Sequence, residues 1–220
     1  MIIDHNHPIY KSKRENMGFN KYNGAYYYSK DIVKYIIPRI KTDRNWVTVR
    51  TEEAMDHSIV FIHNNRNPNY YSFLRNYDDV ICVCSTRHTY ENMVFFGKPI
   101  YLPLSLNIKS VEKYKVKNKT KEVAFAGRRN KINNHIPSSA DILTDMCQSA
   151  LLREMAKYKK IYAVGRTAIQ AKILECEVLP YDNLYPDPKV WKVIDCSEAA
   201  NILQQELNKV DGGNNDAFDL

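Results

Sequence analysis

The stretch that decides the fold reads IYAVGRTAIQAKILECEVL and covers residues 161–179. Its opening residues, 161–164, are apolar or aromatic, as in a buried strand, and Gly165-Arg166-Thr167 follows as a turn. From Ala168 the apolar residues recur at helical spacing, and a strand-like run returns at 177–179. A strand that leads through a helix into a second strand is the repeating unit of parallel α/β sheets.

The same alternation extends through both halves of the chain. Short apolar runs are bounded by charged or Asn-rich turns, and helix-length segments separate them. We predict strands at 46–49, 58–62, 80–84, 99–104, 122–126, 161–164 and 177–182. We predict helices at 25–40, 70–77, 89–96, 149–160, 165–174 and 197–210. The pattern indicates an α/β protein with parallel sheets.

Length and composition restrict the classes of protein to consider. The chain has 220 residues, of which 44% are hydrophobic and 26% are charged, which suits one or two folded domains. No run approaches the ~18 apolar residues of a membrane span. Asp4 interrupts the N-terminal segment, where a signal peptide needs apolar residues. We therefore expect a cytoplasmic protein whose five cysteines are reduced.

Basic residues permit an anionic partner. The net charge is +7, which suits a nucleotide, a phosphate group, a nucleic acid or an anionic surface. Lys113, Lys115, Lys117, Lys119 and Lys121 alternate strictly, and in an extended chain this period places them on one side. Such a strip is either a solvated, lysine-guarded edge or a surface that binds DNA or another polyanion.

The lysine-rich segment 105–121 also divides the chain. We predict an N-terminal lobe at 1–105, a C-terminal lobe at 106–210 and a flexible tail at 211–220. The tail is acidic, because it contains aspartates and no Lys or Arg. The sequence gives no indication of the oligomeric state.

Two turns in the C-terminal half combine glycine with arginine directly after a predicted strand. The first is Gly127-Arg128-Arg129-Asn130-Lys131, and the second is Gly165-Arg166-Thr167. Open α/β sheets bind ligands beyond the carboxyl ends of their strands, and the free amides of a helix start attract anions. These turns therefore indicate a cradle for a diphosphate. The alternative is an ordinary helix start without a ligand.

Residues 162–179 resemble the donor-binding segment of GT-B glycosyltransferases, in which a small residue precedes a helix with a Glu-Ala pair and then an apolar strand. Residues 122–131 resemble the first strand of that family's C-terminal domain, and 103–107 lie where its interdomain crossing falls. The resemblance covers residues 99–210. It implies two small Rossmann-like lobes whose parallel sheets face a central cleft. The C-terminal lobe would bind a nucleotide-sugar donor, and the N-terminal lobe would lie on the acceptor side.

The resemblance also assigns residues to the donor. These residues are Gly127, Arg128, Lys131, Gly165, Arg166, Thr167 and Gln170. Gln170 occupies the position of the family's ribose-binding Glu, and Glu175 occupies the position of its turn glycine. Glutamine hydrogen-bonds a hydroxyl group but carries no negative charge.

In the N-terminal half, Tyr22-Asn23-Gly24 resembles the family's first glycine turn, which faces the acceptor. An ordinary helix start is the alternative. Ser85-Thr86-Arg87 follows a predicted buried strand, so these residues would also lie on the acceptor side. His63 ends another strand and would act as a general base toward an acceptor hydroxyl. A hydrogen-bonded histidine with a structural role is the alternative.

The function that the resemblance implies is transfer of a sugar from a nucleotide-sugar to an unknown acceptor. The motif D-x-D, which marks the metal-dependent sites of the other common glycosyltransferase architecture, is absent from the sequence. We therefore expect a metal-independent reaction with the nucleotide-sugar as co-substrate and no further cofactor. The alternative is a non-catalytic nucleotide-binding or nucleic-acid-associated module with the same fold.

Overall fold

Two parallel sheets organise the molecule. The computed structural model describes residues 1–4, 24–49, 51–63 and 68–212. These residues form a five-stranded and a four-stranded sheet, and every neighbouring pair of strands is parallel. The predicted α/β class is therefore confirmed. The chain divides into two compact units, Met1–Pro103 together with Cys196–Leu220, and Leu104–Asp195.

The five-stranded sheet lies in the first unit, and its spatial order follows the order of the strands along the chain. The strands are β1 (Ile2–Ile3), β2 (Asn45–Val47), β3 (Ser58–Ile62), β4 (Ile81–Cys84) and β5 (Lys98–Tyr101). Every residue of β3 and β4 is buried, as expected for apolar runs that are covered on both faces.

Helical segments connect these strands. Helix α1 (Gly24–Asp31) continues through the π-helical residues Ile32–Ile36 into a 3-10 turn at Ile37–Arg39. Pro38 lies at the start of that turn and the helical segment ends there, because proline cannot donate the next backbone hydrogen bond. Helix α2 spans Arg87–Met93. Shorter 3-10 segments cover Thr51–Glu53 and Pro68–Asn76.

The first sheet is covered on both faces. On one face, Val60 packs with Leu74 and with Met93 of α2 in a buried apolar cluster. On the other face, the edge of the Tyr28 ring of α1 meets Phe61, with 6.4 Å between the ring centroids. The result is a layered α/β core.

The four-stranded sheet lies in the second unit. Its strands are β6 (Lys121–Ala126), β7 (Asp141–Leu143), β8 (Tyr158–Tyr162) and β9 (Glu177–Leu179). The helices of this unit are α3 (Ile108–Glu112), α4 (Gln148–Met155) and α5 (Gly165–Ile173). The predicted strand–helix–strand of residues 161–179 is therefore present as β8, α5 and β9.

The two faces of the second sheet are covered differently. On one face, Ile161 packs with Ile169 of α5 in a large apolar cluster. On the other face, Phe125 packs with Ile136 and Tyr181 in a smaller cluster. Ile136 belongs to the connection between β6 and β7, so a loop rather than an α-helix provides part of that layer.

The last helix belongs to the first unit. Helix α6 (Cys196–Gly212) packs against the π-helical residues Ile32–Ile36 and buries Leu203 and Leu207. The division therefore differs from the predicted lobe at 106–210, because periodicity shows that a helix is amphipathic but not which unit its apolar face packs against. The helix also extends into the predicted tail, and residues 213–220 of that tail lie outside the described residues.

The alternating lysines do not form a one-sided strip. Helix α3 ends at Glu112, turns follow, and β6 begins only at Lys121. Lys115 pairs with Glu175 at 3.2 Å, whereas the ammonium of Lys119 donates to main-chain carbonyls inside the unit. The extended, one-sided arrangement is therefore wrong, because turns break the period of two and several of the ammonium groups already have partners. Binding of DNA or another polyanion stays a prediction.

Candidate functional site

Strand order marks the place where a ligand would bind. In the second sheet the order is β7-β6-β8-β9, so the chain moves from β6 to one side and then returns to the other. In open α/β sheets the carboxyl ends of the two strands at such a reversal border a crevice that binds ligands. The first sheet has no reversal among its described strands, which are in sequence order. The topology therefore points to the carboxyl ends of β6 and β8.

Strand β6 brings three of the sequence-predicted residues to this edge. The strand ends at Ala126, and Gly127 and Arg128 follow directly before a 3-10 turn that contains Lys131. A Cβ atom on Gly127 would lie 2.7 Å from Cζ of Phe125, so only glycine fits without moving that ring. Arg128 and Lys131 are exposed, so their charges are available to an anion.

Strand β8 leads into the start of α5. Val164 is the N-cap residue in extended conformation, and Gly165 opens the helix with φ of +60°. This left-handed conformation favours glycine. The first turn contains no acidic residue, so no carboxylate competes for its free amides. Thr167 lies in that turn, and Nε and Nη1 of Arg166 are buried.

The register of the two strands brings these turns together. Phe125 of β6 is paired with Tyr162 of β8, so Gly127 and Gly165 follow at the same edge of neighbouring strands. The structure therefore gathers the two predicted cationic turns on one side of the second unit. Adjacent strands lie about 4.8 Å apart, a distance that one diphosphate can bridge.

Gln170 lies one helical turn beyond Arg166 on α5, and helical side chains lean toward the N-terminus of their helix. The residue is 1% exposed, and its Nε2 has no hydrogen-bond partner among the described residues. A buried donor without a partner is costly unless water or a ligand supplies an acceptor. An acceptor supplied by a bound molecule or by water would satisfy this donor.

The turn after α5 explains the position of Glu175. This residue has φ of +61°, the conformation of a C-terminal capping glycine. Cys176 donates its backbone N–H to the carbonyl of Ala171, which closes the helix in a Schellman-type arrangement. The sequence places Glu175 where the GT-B pattern has glycine, and the backbone adopts the glycine-like conformation although the side chain is present.

Sequence reasoning missed the contribution of β7. Asp145 follows this strand with φ of +57°, and its carboxylate accepts a hydrogen bond from Nε of Arg129 at 3.3 Å. The hydroxyl of Thr144 accepts a second one from Nη2 at 3.4 Å. Arg129 is thus turned toward β7, although its side chain, like that of Arg128, is exposed. The signal that was available is an acidic residue two positions after the short apolar run Ile142-Leu143, which was not predicted as a strand.

A thiol also lies at this edge. Cys147 is the exposed N-cap residue of α4, and its Sγ lies 3.5 Å from Oγ of Ser149. Hydrogen bonds from the Ser149 hydroxyl and from the backbone amide of Ala150 lower the pKa of Cys147. The start of α4 is therefore a second electropositive helix end beside β7.

Tyr181 follows β9 and is buried in the apolar cluster that contains Phe125. Its ring meets Phe125 edge-on, with 5.1 Å between the centroids, and Nδ2 of Asn133 donates to its main-chain carbonyl at 2.9 Å. Burial raises the pKa of Tyr181 to about 12, so the hydroxyl stays protonated at neutral pH. This contact fixes the connection between β6 and β7 against the sheet.

His63 has a structural environment in the first unit. Its Nε2 lies 2.6 Å from the carbonyl oxygen of Thr48, which can only accept, so Nε2 carries the hydrogen. Its Nδ1 is buried without a partner among the described residues, and the ring lies edge-on to Tyr28 at 4.8 Å. Burial lowers the pKa of His63 to about 4. A catalytic role stays a prediction, and this geometry does not favour it because the free nitrogen is enclosed.

The other residues predicted for the acceptor side have local partners. Ser85 donates to the carbonyl of Ile62 at 3.4 Å, and Thr86 caps α2 by accepting from the amide of Thr89 at 3.1 Å. The guanidinium of Arg87 lies over the ring of Tyr101 at 4.4 Å. These contacts give Ser85, Thr86 and Arg87 structural roles within the first unit.

Gly24 is the first residue of α1, which matches the alternative of an ordinary helix start. Asn23 lies outside the described residues. An acceptor role for these two residues therefore stays a prediction.

Comparisons with known proteins leave the family of this chain open. No protein-family model matches the sequence, and no curated protein matches it. Within residues 1–4, 24–49, 51–63 and 68–212, none of the helices has the length and apolar character to cross a bilayer. The same described residues contain no group of three or more His, Cys, Asp or Glu side chains arranged to hold a metal ion.

Proposed function

We propose that this protein is a glycosyltransferase of GT-B type that binds a nucleotide-sugar through its diphosphate. The observation that carries the proposal is the coincidence of the strand reversal with two glycine-arginine turns. The crevice at β6 and β8 receives Gly127-Arg128 from one strand and Gly165-Arg166 from the other. Topology and sequence thus select the same edge independently.

The chemistry of glycosyl transfer fits the charges at this edge. When the sugar leaves its donor, negative charge develops on the departing diphosphate. Arg128 and Lys131 are exposed cations, and the free amides at the start of α5 add the positive end of a helix dipole. Groups fixed in place before the reaction stabilise such a charge without reorganisation. The proposed transfer needs no metal ion for this step.

A second candidate is a binding module that holds the nucleotide without turnover. Gln170 favours it, because a neutral amide stands where the GT-B pattern has a carboxylate. His63 also favours it, because its enclosed Nδ1 supplies no accessible base in the first unit. Both candidates use the same diphosphate site, and they differ only in whether a sugar is transferred.

The first experiment measures thermal unfolding with UDP, GDP and ADP. A ligand at about 100 times its dissociation constant adds about 2.7 kcal/mol, which corresponds to a shift of roughly 5–10 °C for a chain of this size. We expect such a shift with at least one nucleotide. The absence of a shift with all three would overturn both candidates. The matching nucleotide-sugar is then added, and release of its nucleoside diphosphate is measured. Release indicates a transferase or hydrolase, and its absence indicates a binding module.

Variants locate the site. We expect Arg128→Ala and Arg166→Ala to reduce or abolish the nucleotide-induced shift while the protein stays folded. Thr167→Ala serves as a milder change, because Arg166 is partly buried. Lys117→Ala is the matched control, since it removes one exposed positive charge before β6, at the other end of that strand. Equal nucleotide affinity in wild type, Arg128→Ala and Arg166→Ala would refute the assigned site.

A further inference from the structure

A cluster of charges lies where the strands of the first sheet begin. Arg44 precedes β2, His57 precedes β3, Asp79 lies just before β4, and Lys98 is the first residue of β5. Parallel strands place all their amino ends at one edge. This edge is the opposite one to the edge at which ligands bind in open α/β sheets, so the cluster needs its own explanation.

Asp79 is the centre of the cluster. Its Oδ2 accepts from Arg44 at 2.8 Å and from Nδ1 of His57 at 2.9 Å, and its Oδ1 accepts from Lys98 at 2.9 Å. Although burial acts in the opposite direction, the hydrogen bonds from Lys98, Arg44 and His57 hold the pKa of Asp79 well below its usual range. One carboxylate therefore serves three cationic groups.

His57 connects two carboxylates. Its Nε2 lies 3.0 Å from Asp43, while its Nδ1 lies 2.9 Å from Asp79. Because carboxylates only accept, both ring nitrogens must carry hydrogen, and the ring is a charged imidazolium in this arrangement. The hydrogen bonds to Asp43 and Asp79 raise the pKa of His57.

Arg44 links this cluster to the last helix. Its side chain is only 3% exposed, and Nη2 lies 2.7 Å from Oδ1 of Asp211 near the end of α6. An acidic group near a helix C-terminus is unfavourable for the helix dipole, so Asp211 depends on the guanidinium. With His57 charged, the cluster contains three cations and three carboxylates and is electrically balanced.

The backbone is strained to build the cluster. His57 has φ of +53° and Asp79 has φ of +52°, both in the left-handed region that costs free energy for residues other than glycine. The amide of His57 donates to the carbonyl of Asp78, whose own amide donates to the carboxylate of Asp56. Such strain persists only where surrounding contacts determine the conformation.

The other charged groups around His57 make the edge acidic. Asp56 and Asp78 are exposed neighbours in the loops on either side, and the terminal ammonium of Met1 donates to Asn45 beside Arg44. When His57 loses its proton, the carboxylates of the cluster outnumber its cations by one. The carboxylate of Asp79 then neutralises Arg44 more completely, because one fewer cation competes for it. The attraction between Arg44 and Asp211 is therefore weaker.

We propose that this edge is a protonation-dependent clasp that holds the end of helix α6 to the first sheet while His57 is charged and loosens when His57 is neutral. The segment Cys196–Leu220 returns to the first unit after the whole second unit has passed. The clasp therefore acts on the returning part of the chain. It is independent of the proposed nucleotide site.

Linkage gives the first test. If charged His57 favours the bond between Arg44 and Asp211, then that bond must favour charged His57 by the same factor. We expect Asp211→Asn to lower the pKa of His57, followed by NMR titration of its ring, by about 0.5 or more, which is a coupling of about threefold. A pKa of His57 that is identical in wild type and Asp211→Asn would overturn the proposal.

Hydrogen exchange gives the second test. After correction for intrinsic rates, we expect the amides of residues 207–212 to be several-fold less protected above the pKa of His57 that the NMR titration measures than below it. His57→Asn should remove this difference and leave the protection at the lower level, because asparagine tolerates the left-handed backbone. His88→Gln, on the exposed surface of α2, is the matched control and should keep the pH dependence of the protection. Protection that is independent of pH in wild type would refute the clasp.

Discussion

Glu175 holds a backbone conformation that glycine adopts without cost. Its side chain is exposed, and its ion pair with Lys115 at 3.2 Å is of the surface type that contributes little. We predict that Glu175→Gly raises stability by about 1 kcal/mol, because relief of the left-handed strain outweighs the lost ion pair and the added chain entropy. The measurement is the midpoint of thermal unfolding, with an expected rise of about 2–4 °C.

Gly165→Ala is the matched opposite change. It places a side chain at φ of +60°, and its Cβ would meet only Leu104 at 3.9 Å, so its effect reports the backbone rather than a clash. It should lower stability by about 1 kcal/mol. If both variants moved the midpoint in the same direction, backbone strain would not be the cause.

His63 gives a pH dependence whose sign is fixed. Its pKa is about 4 in the folded protein, against an ordinary value of 6.5. Above pH 6.5 the imidazole is neutral in both the folded and the unfolded protein. Between pH 6.5 and about 4 it is protonated in the unfolded chain but stays neutral in the folded protein. Stability is therefore lost as the pH falls from about 6.5 toward about 4, by about 3 kcal/mol in total.

The measurement is the free energy of unfolding in urea across this range, in wild type and in His63→Gln. The difference between the two proteins should shrink as the pH falls, because the variant has no group to protonate. A constant difference would show that the imidazole titrates normally in the folded protein.

At the scale of elements, Lys119 joins the ends of two helices. Its ammonium donates to the carbonyl of Ala156 after α4 at 3.1 Å and to the carbonyl of Leu174 after α5 at 2.9 Å. Carbonyls at a helix C-terminus lack intrahelical donors, and a cation there also complements the dipole. We predict that Lys119→Met lowers stability by about 2 kcal/mol.

Urea unfolding measures this cost, and hydrogen exchange should show faster opening of the last turns of α4 and α5. Lys117→Met is the control, since Lys117 is exposed and two residues away. An equal loss in both variants would mean that removal of charge, rather than the two helix ends, destabilises the protein.

Helix and strand boundaries show how far local pattern reaches. The apolar spacing from 149 onward predicts a helix to residue 160, but α4 ends at Met155 and β8 begins at Tyr158. Tyr158 pairs with Lys121 of β6, and its hydroxyl donates to Asp141 at 2.6 Å. These partners are distant in sequence, so periodicity within one segment cannot reveal them. The strand β3, in contrast, could be predicted from its own run of apolar residues.

The candidate site, too, could be predicted only where its features are local in the sequence. Glycine followed by arginine after an apolar run identified the turns at Gly127 and Gly165, because both features are local. Which strands would be neighbours was not predictable, since the order β7-β6-β8-β9 depends on pairing across the sheet. The contact of Arg129 with Asp145 was missed for that reason.

At the scale of the whole molecule, the two units should differ in what they need to fold. The second unit, Leu104–Asp195, has its own sheet and its own apolar clusters. We predict that this fragment unfolds cooperatively on its own, as measured by circular dichroism during heating.

Residues 1–103 alone should not fold, because they lack α6, which buries Leu203 and Leu207 against the π-helical residues Ile32–Ile36. The same residues joined to 196–212 through a flexible linker should recover a cooperative transition. A folded 1–103 fragment without α6 would contradict this prediction.

The discontinuous first unit has a consequence for biosynthesis. A growing polypeptide leaves the ribosome from its N-terminus, and domains commonly fold in that order. Here the segment that completes the first unit, Cys196–Gly212, emerges only after the second unit has already been synthesised. The second unit is therefore ready to fold earlier, and the apolar side of the π-helical residues Ile32–Ile36 stays uncovered until α6 has been synthesised. Chaperones that shield apolar surface during translation would find their target in the opening half of this chain.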